Sequence, residues 1–177
     1  QHRQVSKTYR AVAPVPADPT AAEQALSAQG LQVRSHIQKI RDQLQVQQLS
    51  EEQCAAQGVE PNTLTTVKIL RTFTPSARAV EGWGAEPTLN ENREWKKQEW
   101  ALYDLAPHTG KTHQLRAHLN LLDSPILGDV LYPQVLPDAP DRPEYPLQLL
   151  AYSLHFEHPI TGERVDLYSG RSLVAAA

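Results

Sequence analysis

Between Pro107 and Leu119 the chain reads PHTGKTHQLRAHL, a stretch with Thr-Gly-Lys-Thr, three histidines and an arginine within thirteen positions. Three chemistries use such residues: a phosphate loop, a metal centre, or a binding site for an anion at the start of a helix. A phosphate loop needs G-x-x-x-x-G-K-[ST], and a motif ending at Gly110-Lys111-Thr112 requires glycine at 105, where the chain has Leu105. His113 and His118 are five apart, which at ~100° per residue separates them by about 140° on a helix, unlike the same-face i, i+4 pair of a zinc site. The one cysteine, Cys54, makes neither a disulfide nor a thiolate cluster. No metal is expected. In the third reading Thr112 is the N-cap and Leu115, Leu119 and Leu122 form an apolar stripe at i, i+4 and i+7. His113, Arg116 and Asn120 then lie on another face, and Ser124-Pro125 stops the helix. The Gly110 turn, the helix start and Arg116 would converge on a phosphate or a carboxylate.

The elements that must position this stretch are legible in part. VSKTYRAVA (5–13), TLTTVKILRTF (63–73) and WALYDLA (100–106) are predicted strands, from alternation and β-branched content. LLAYSLHFEHPITGERVDLYS (149–169) is predicted to be an antiparallel hairpin turning at Pro159-Ile160-Thr161-Gly162. AAEQALSA (21–28) suits a short helix, and the leucine stripe predicts a second over about 113–123. The fold class expected is α+β, a mixed, largely antiparallel sheet with a few packed helices, in a single domain over 1–177. Residues 74–94 and 133–145 are expected to be surface loops.

Composition narrows the functional classes. Of the 177 residues, 40% are hydrophobic and 21% charged, and no apolar run is long enough to cross a membrane, so the chain reads as soluble and cytoplasmic. It contains no Met, and QHRQVSKTYR has no apolar signal core, which reads as the interior of a larger protein. The net charge of -3 hides an asymmetry: residues 1–120 carry 14 Lys and Arg against 12 Asp and Glu, and the rest carry 3 against 8. A polyanion would meet the first two thirds.

HTGKTHQLRAHLNLLDSPILGDVLYP followed by PLQLLAYSLHFEHPITGE resembles the carboxy-terminal half of the RluA-type RNA pseudouridine synthases. In that family T-G-[RK]-T-H-Q-[IL]-R, P-I-x-G-D-x-x-Y and F-x-H-P-x-T-G-E occur in this order. VSKTYRAVAP (5–14) resembles the family's upstream K-x-Y-x-A strand, so the likeness runs from Val5 to about Tyr168.

The resemblance implies an isomerase that converts uridine in RNA to pseudouridine, acting as a monomer on ribosomal or transfer RNA without a cofactor. It assigns Tyr9 to the target uracil and Arg116 to the catalytic aspartate, with Lys7, Lys111, Thr112, His113 and Gln114 as RNA contacts. The family's aspartate sits in an R-L-D motif that is absent from this chain. Asp104 falls outside any matching motif, and Asp129 matches a G-D pair with an expected structural role. The chain is therefore expected to be the later part of a catalytic domain, inactive alone, with Arg116 facing a cleft without an acidic partner of its own. The alternative is a non-catalytic RNA-binding module built on the same fold.

Overall fold

The computed structural model describes residues 5–74, 99–136, 146–173 and 175. In chain order they form β1 (Val5–Pro14), α1 (Pro19–Leu26), β2 (Leu31–Gln38), β3 (Gln47–Ser50), α2 (Glu51–Gln57), β4 (Thr63–Phe73), β5 (Trp100–Pro107), α3 (Gln114–Leu121), β6 (Leu149–Glu157) and β7 (Arg164–Tyr168). The seven strands make one sheet in the order β3-β2-β4-β5-β1-β6-β7. Every pairing is antiparallel, so the expected α+β class with a largely antiparallel sheet holds, with no parallel pair among the described residues.

Strands at 5–14, 63–73 and 100–107 match the predicted ones, as does the β6–β7 hairpin, where Gly162 takes a φ of +73°. The helix expected at 21–28 starts earlier, because Asp18 accepts from the Thr20 and Ala21 amides and Pro19 occupies the first turn. Of the expected loops at 74–94 and 133–145, all but Thr74 and residues 133–136 lie outside the described residues.

Register decides which side chains share a face. Leu31, Val67, Leu105 and Tyr9 are consecutive cross-strand partners, so they form one row across β2, β4, β5 and β1. The main core lies on this face: Val33, Val67, Ile69, Tyr103 and Leu105 of the sheet meet Leu115 and Leu119 of α3, with Leu122 partly buried against them. Val12, Trp100, Leu127 and Leu173 form a second cluster.

Helix α3 is also tied to the sheet by polar groups. His118 is fully buried, with Nε2 2.9 Å from Ser35 Oγ and 3.1 Å from Thr63 Oγ1, and Nδ1 2.8 Å from Thr65 Oγ1. Thr63 gives its hydroxyl proton to the Ser35 carbonyl, so it accepts from Nε2–H, and Nδ1 is left to accept from Thr65. The ring is thus neutral, and burial pushes its pKa down to about 4.

That shift makes stability depend on pH. The folded-state pKa lies below the ordinary value of 6.5, so the unfolded chain binds the extra proton first as pH falls. The stabilising contribution is complete above pH ~6.5, is lost between there and about pH 4, and amounts to about 3 kcal/mol. Denaturant unfolding at a series of pH values should show this slope in the wild type and a flatter one in His118→Gln. Equal slopes would remove His118 from the account.

Candidate active site

The Pro107–Leu119 stretch leaves β5 at the end of the sheet that also holds the start of β1, the end of β2 and the start of β4. The helix begins one residue later than predicted, and its N-cap is His113, not Thr112. His113 has a φ of 55° and makes no side-chain cap, so it is the left-handed residue of the turn. A Cβ at Gly110 would meet nothing within 4 Å, so glycine is not required there for space.

Gln114 takes over the capping. Its Oε1 accepts from the Lys111 amide at 3.1 Å and the Thr109 hydroxyl at 2.9 Å. Its Nε2 donates to the Leu64 carbonyl at 3.1 Å and to Thr65 Oγ1 at 2.9 Å. The residue, expected among the RNA contacts, is buried with its amide fully used, and its side chain holds the turn to β4. The far end of α3 closes as a Schellman motif, with Asp123 left-handed and the Asp123 and Ser124 amides donating to Asn120 and Leu119 carbonyls.

Arg116 departs most from expectation. Its Nε donates to Asp129 Oδ2 at 2.7 Å and its Nη2 to Asp129 Oδ1 at 2.5 Å, a bidentate pair in which the arginine side chain is 15% exposed and the aspartate not at all. It therefore has an acidic partner within the chain. The loop that supplies Asp129 is shaped by Gly128, whose φ is +78° and where a Cβ would lie 2.9 Å from the Pro146 carbonyl. Asp129 Oδ1 also accepts from the Leu131 and Tyr132 amides at 2.8 and 3.0 Å. Arg116 Cζ lies 5.3 Å from the centre of the Tyr132 ring. Nη1 has no hydrogen-bond partner among the described residues.

Tyr132 joins this set to the end of β2 and to the residue just before β3 by packing with Ile37, Val46 and Ala117. The Val46 amide donates to its hydroxyl at 3.0 Å, which leaves the hydroxyl proton for His113 Nδ1 at 3.3 Å. Burial lowers the His113 pKa, the positive charges of Arg116 and Lys39 lower it further, and Asp129 opposes them.

The remaining expected residues divide between locations. Tyr9 is half-buried against the same core as Leu115 and Leu119, and its hydroxyl has no hydrogen-bond partner among the described residues. Lys111 and Thr112 are exposed in the turn, where they line a cleft with Lys39. Lys7 is exposed on β1 opposite Leu154 of β6. Counting strands from β2 to β1, it lies about 14 Å across the sheet from that cleft, at the same end. Lys7, His113 and Arg116 are not among the residues lining that cleft.

Neither nearby aspartate suits a nucleophile. Asp129 has both oxygens occupied and no exposed side-chain surface. Asp104 pairs in register with Arg10 and Lys68, one position along from the Tyr9 row, and so points to the opposite face of the sheet. Burial raises its pKa against the pull of Arg10 and Lys68.

The chain is similar to known proteins in sequence and in fold. Residues 1–121 match the family model described as RNA pseudouridylate synthase. Over 62 residues the chain is 39% identical to RNA pseudouridylate synthase domain-containing protein 1 of Mus musculus, covering 35% of this chain and 19% of that protein. Over 81 residues it is 35% identical to tRNA pseudouridine synthase C of Pasteurella multocida (strain Pm70), covering 44% and 33%. Among solved structures, Human RNA Pseudouridylate Synthase Domain Containing 1 superposes with a TM-score of 0.56 at 22% identity, over 94% of this chain and 55% of that one, a likeness of fold. The matches thus span a fifth to a third of the curated relatives and about half of the solved one. No helix among the described residues is long and apolar enough to cross a membrane.

The Arg116–Asp129 pair changes what mutation should do to the fold. Loss of an exposed-face arginine would leave stability intact, but Arg116→Ala strands a buried carboxylate and should cost about 3 kcal/mol. Adding Asp129→Ala should cost less than the sum of the two single changes. Urea unfolding of the four proteins measures this, and additive effects would mean that the pair is not coupled.

Proposed function

Since the chain belongs to the RNA pseudouridylate synthase family, in its RluA-type branch, we propose that it supplies the tyrosine and arginine of an active site that converts uridine in RNA to pseudouridine. The nucleophilic carboxylate comes from a segment outside these 177 residues. The protein works as a monomer in the cytoplasm, on ribosomal or transfer RNA, and without a cofactor.

The observation that carries this reading is Arg116, fixed by Asp129 through two of its nitrogens while Nη1 has no partner among the described residues. A guanidinium held in this way is aimed before substrate arrives, and it offers a fork of donors to a second carboxylate. That carboxylate, kept ionised by the arginine, attacks or stabilises the sugar carbon C1′ as its bond to N1 breaks. The uracil turns while enclosed, C5 bonds to C1′ as the carboxylate is released from it, the proton on C5 leaves and N1 takes up a proton. Tyr9 lies on the face of the sheet that carries α3, where its ring stacks on the base and its unpaired hydroxyl can relay the C5 proton. The other expected RNA contacts, Lys7, Lys111, Thr112 and His113, surround the same end of the sheet.

The test is single-turnover release of tritium from RNA carrying 5-tritiated uridine, catalysed by the intact protein. Arg116→Lys should slow release by about 100-fold or more, because a point ammonium cannot hold two carboxylates as the planar fork does. Tyr9→Ala should also slow it at saturating RNA. An Arg116→Lys protein that is folded at the assay temperature and releases tritium at a near-normal rate would refute the assignment.

A further inference from the structure

The end of β2 and the turn before α3 enclose a cleft of about 440 Å3, lined by His36, Lys39, Asn62, Lys111 and Thr112 together with residues 37–38. Two of the lining residues are lysines and none is acidic. Its walls are fixed. Asn62 grips Ile37 at both backbone groups, accepting from its amide at 2.9 Å and donating to its carbonyl at 3.1 Å. His36 Nδ1 is 2.9 Å from the Glu60 carbonyl, which can only accept, so Nδ1 carries the proton and Nε2 faces the Asn62 amide at 3.4 Å. On the opposite wall Gln114 holds the Lys111 amide.

The cations are the adjustable part. Lys39 Nζ donates to the Gln43 carbonyl and keeps two further N–H groups, since an ammonium has three. The Lys111 ammonium and the Thr112 hydroxyl have no hydrogen-bond partner among the described residues. The charge of Lys39 also reaches His113, where it acts with Arg116, so cleft and arginine share one positive region. A socket with two lysines and no carboxylate among its lining residues suits an oxyanion.

We propose that this cleft is a subsite for one backbone phosphate of the RNA substrate, with Lys39 and Lys111 closing on its oxygens and Thr112 donating a hydroxyl proton. The proposal rests on the reading above that the substrate is RNA. It makes Lys39, which lies outside the family-like motifs, an RNA-positioning residue. Three strand spacings, about 14 Å, separate β2 from the strand of Tyr9, so the phosphate belongs to a nucleotide a few positions away from the target uridine.

The test uses the intact protein with Lys39→Gln, Lys111→Gln and Lys39→Arg, titrated with a uridine-containing RNA oligonucleotide between about 50 and 200 mM salt, and separately with inorganic phosphate. Each glutamine variant should weaken RNA binding by about 3- to 10-fold near physiological salt and reduce the slope of log affinity against log salt by about 0.7 to 0.9. Lys39→Arg should retain the slope. Both lysines are exposed, so the variants should unfold as the wild type does. If the wild type binds RNA but the glutamine variants keep its affinity and slope, the subsite is refuted while the functional reading stands. If Lys39→Gln weakens binding of inorganic phosphate alone, the cleft is a free-anion site and the proposal fails. A wild type that does not bind RNA overturns both.

Discussion

Helix α3 is eight residues long, too short to persist alone, and it is held on the sheet by buried hydrogen bonds from Gln114 and His118 to Ser35, Thr63, Thr65 and the Leu64 carbonyl. An apolar stripe by itself would tolerate small slides along the sheet. Polar groups buried without water do not, because each displaced partner strands a donor or an acceptor at a cost of about 1–3 kcal/mol. Leu115 and Leu119 supply the driving force for docking, and the polar seam specifies one address for the helix. Everything nearby follows from that address, including the turn that carries Lys111 and the direction in which Arg116 leaves the helix.

The Arg116–Asp129 pair is the second step of the same construction. Desolvating two charges is expensive, so a buried pair is a poor device for stability alone. Its return is orientation. The aspartate is fixed by two backbone amides and the loop by Gly128, so the guanidinium has little freedom left. Tyr132 then ties this loop to the end of β2 through Ile37 and to the start of β3 through Val46, and so the arginine and the Lys39–Lys111 cleft rest on one framework. Side chains held in this way have little conformational freedom left to lose.

Much of the sheet was legible because its signals are local. β4 and β5 carry β-branched and aromatic residues in long runs, and the Pro-Ile-Thr-Gly turn marks the hairpin. β2 and β3 were missed, since LQVRSHIQ and QQLS are rich in polar residues and form strands through their neighbours. The Ser50–Gln53 capping box is a local start signal for α2 that can be read from the sequence. Around the candidate site, Thr112 reads as an ordinary N-cap residue, but Gln114 holds the Lys111 amide through a contact no local pattern marks, and the N-cap is His113. The partner of Arg116 was hidden for a different reason. Asp129 is thirteen residues away across a loop, and its GD motif carries no mark of the direction in which its carboxylate points.

Arg116 is locked in place in the free protein, and the NMR signal of its Nε–H reports this directly. In the free protein that proton should give one sharp resonance, exchanging slowly with water and little affected by added salt, because its partner is a buried carboxylate. Asp129→Asn should speed its exchange. An Nε–H that exchanges as fast in the wild type as in an exposed arginine such as Arg41 would contradict the account.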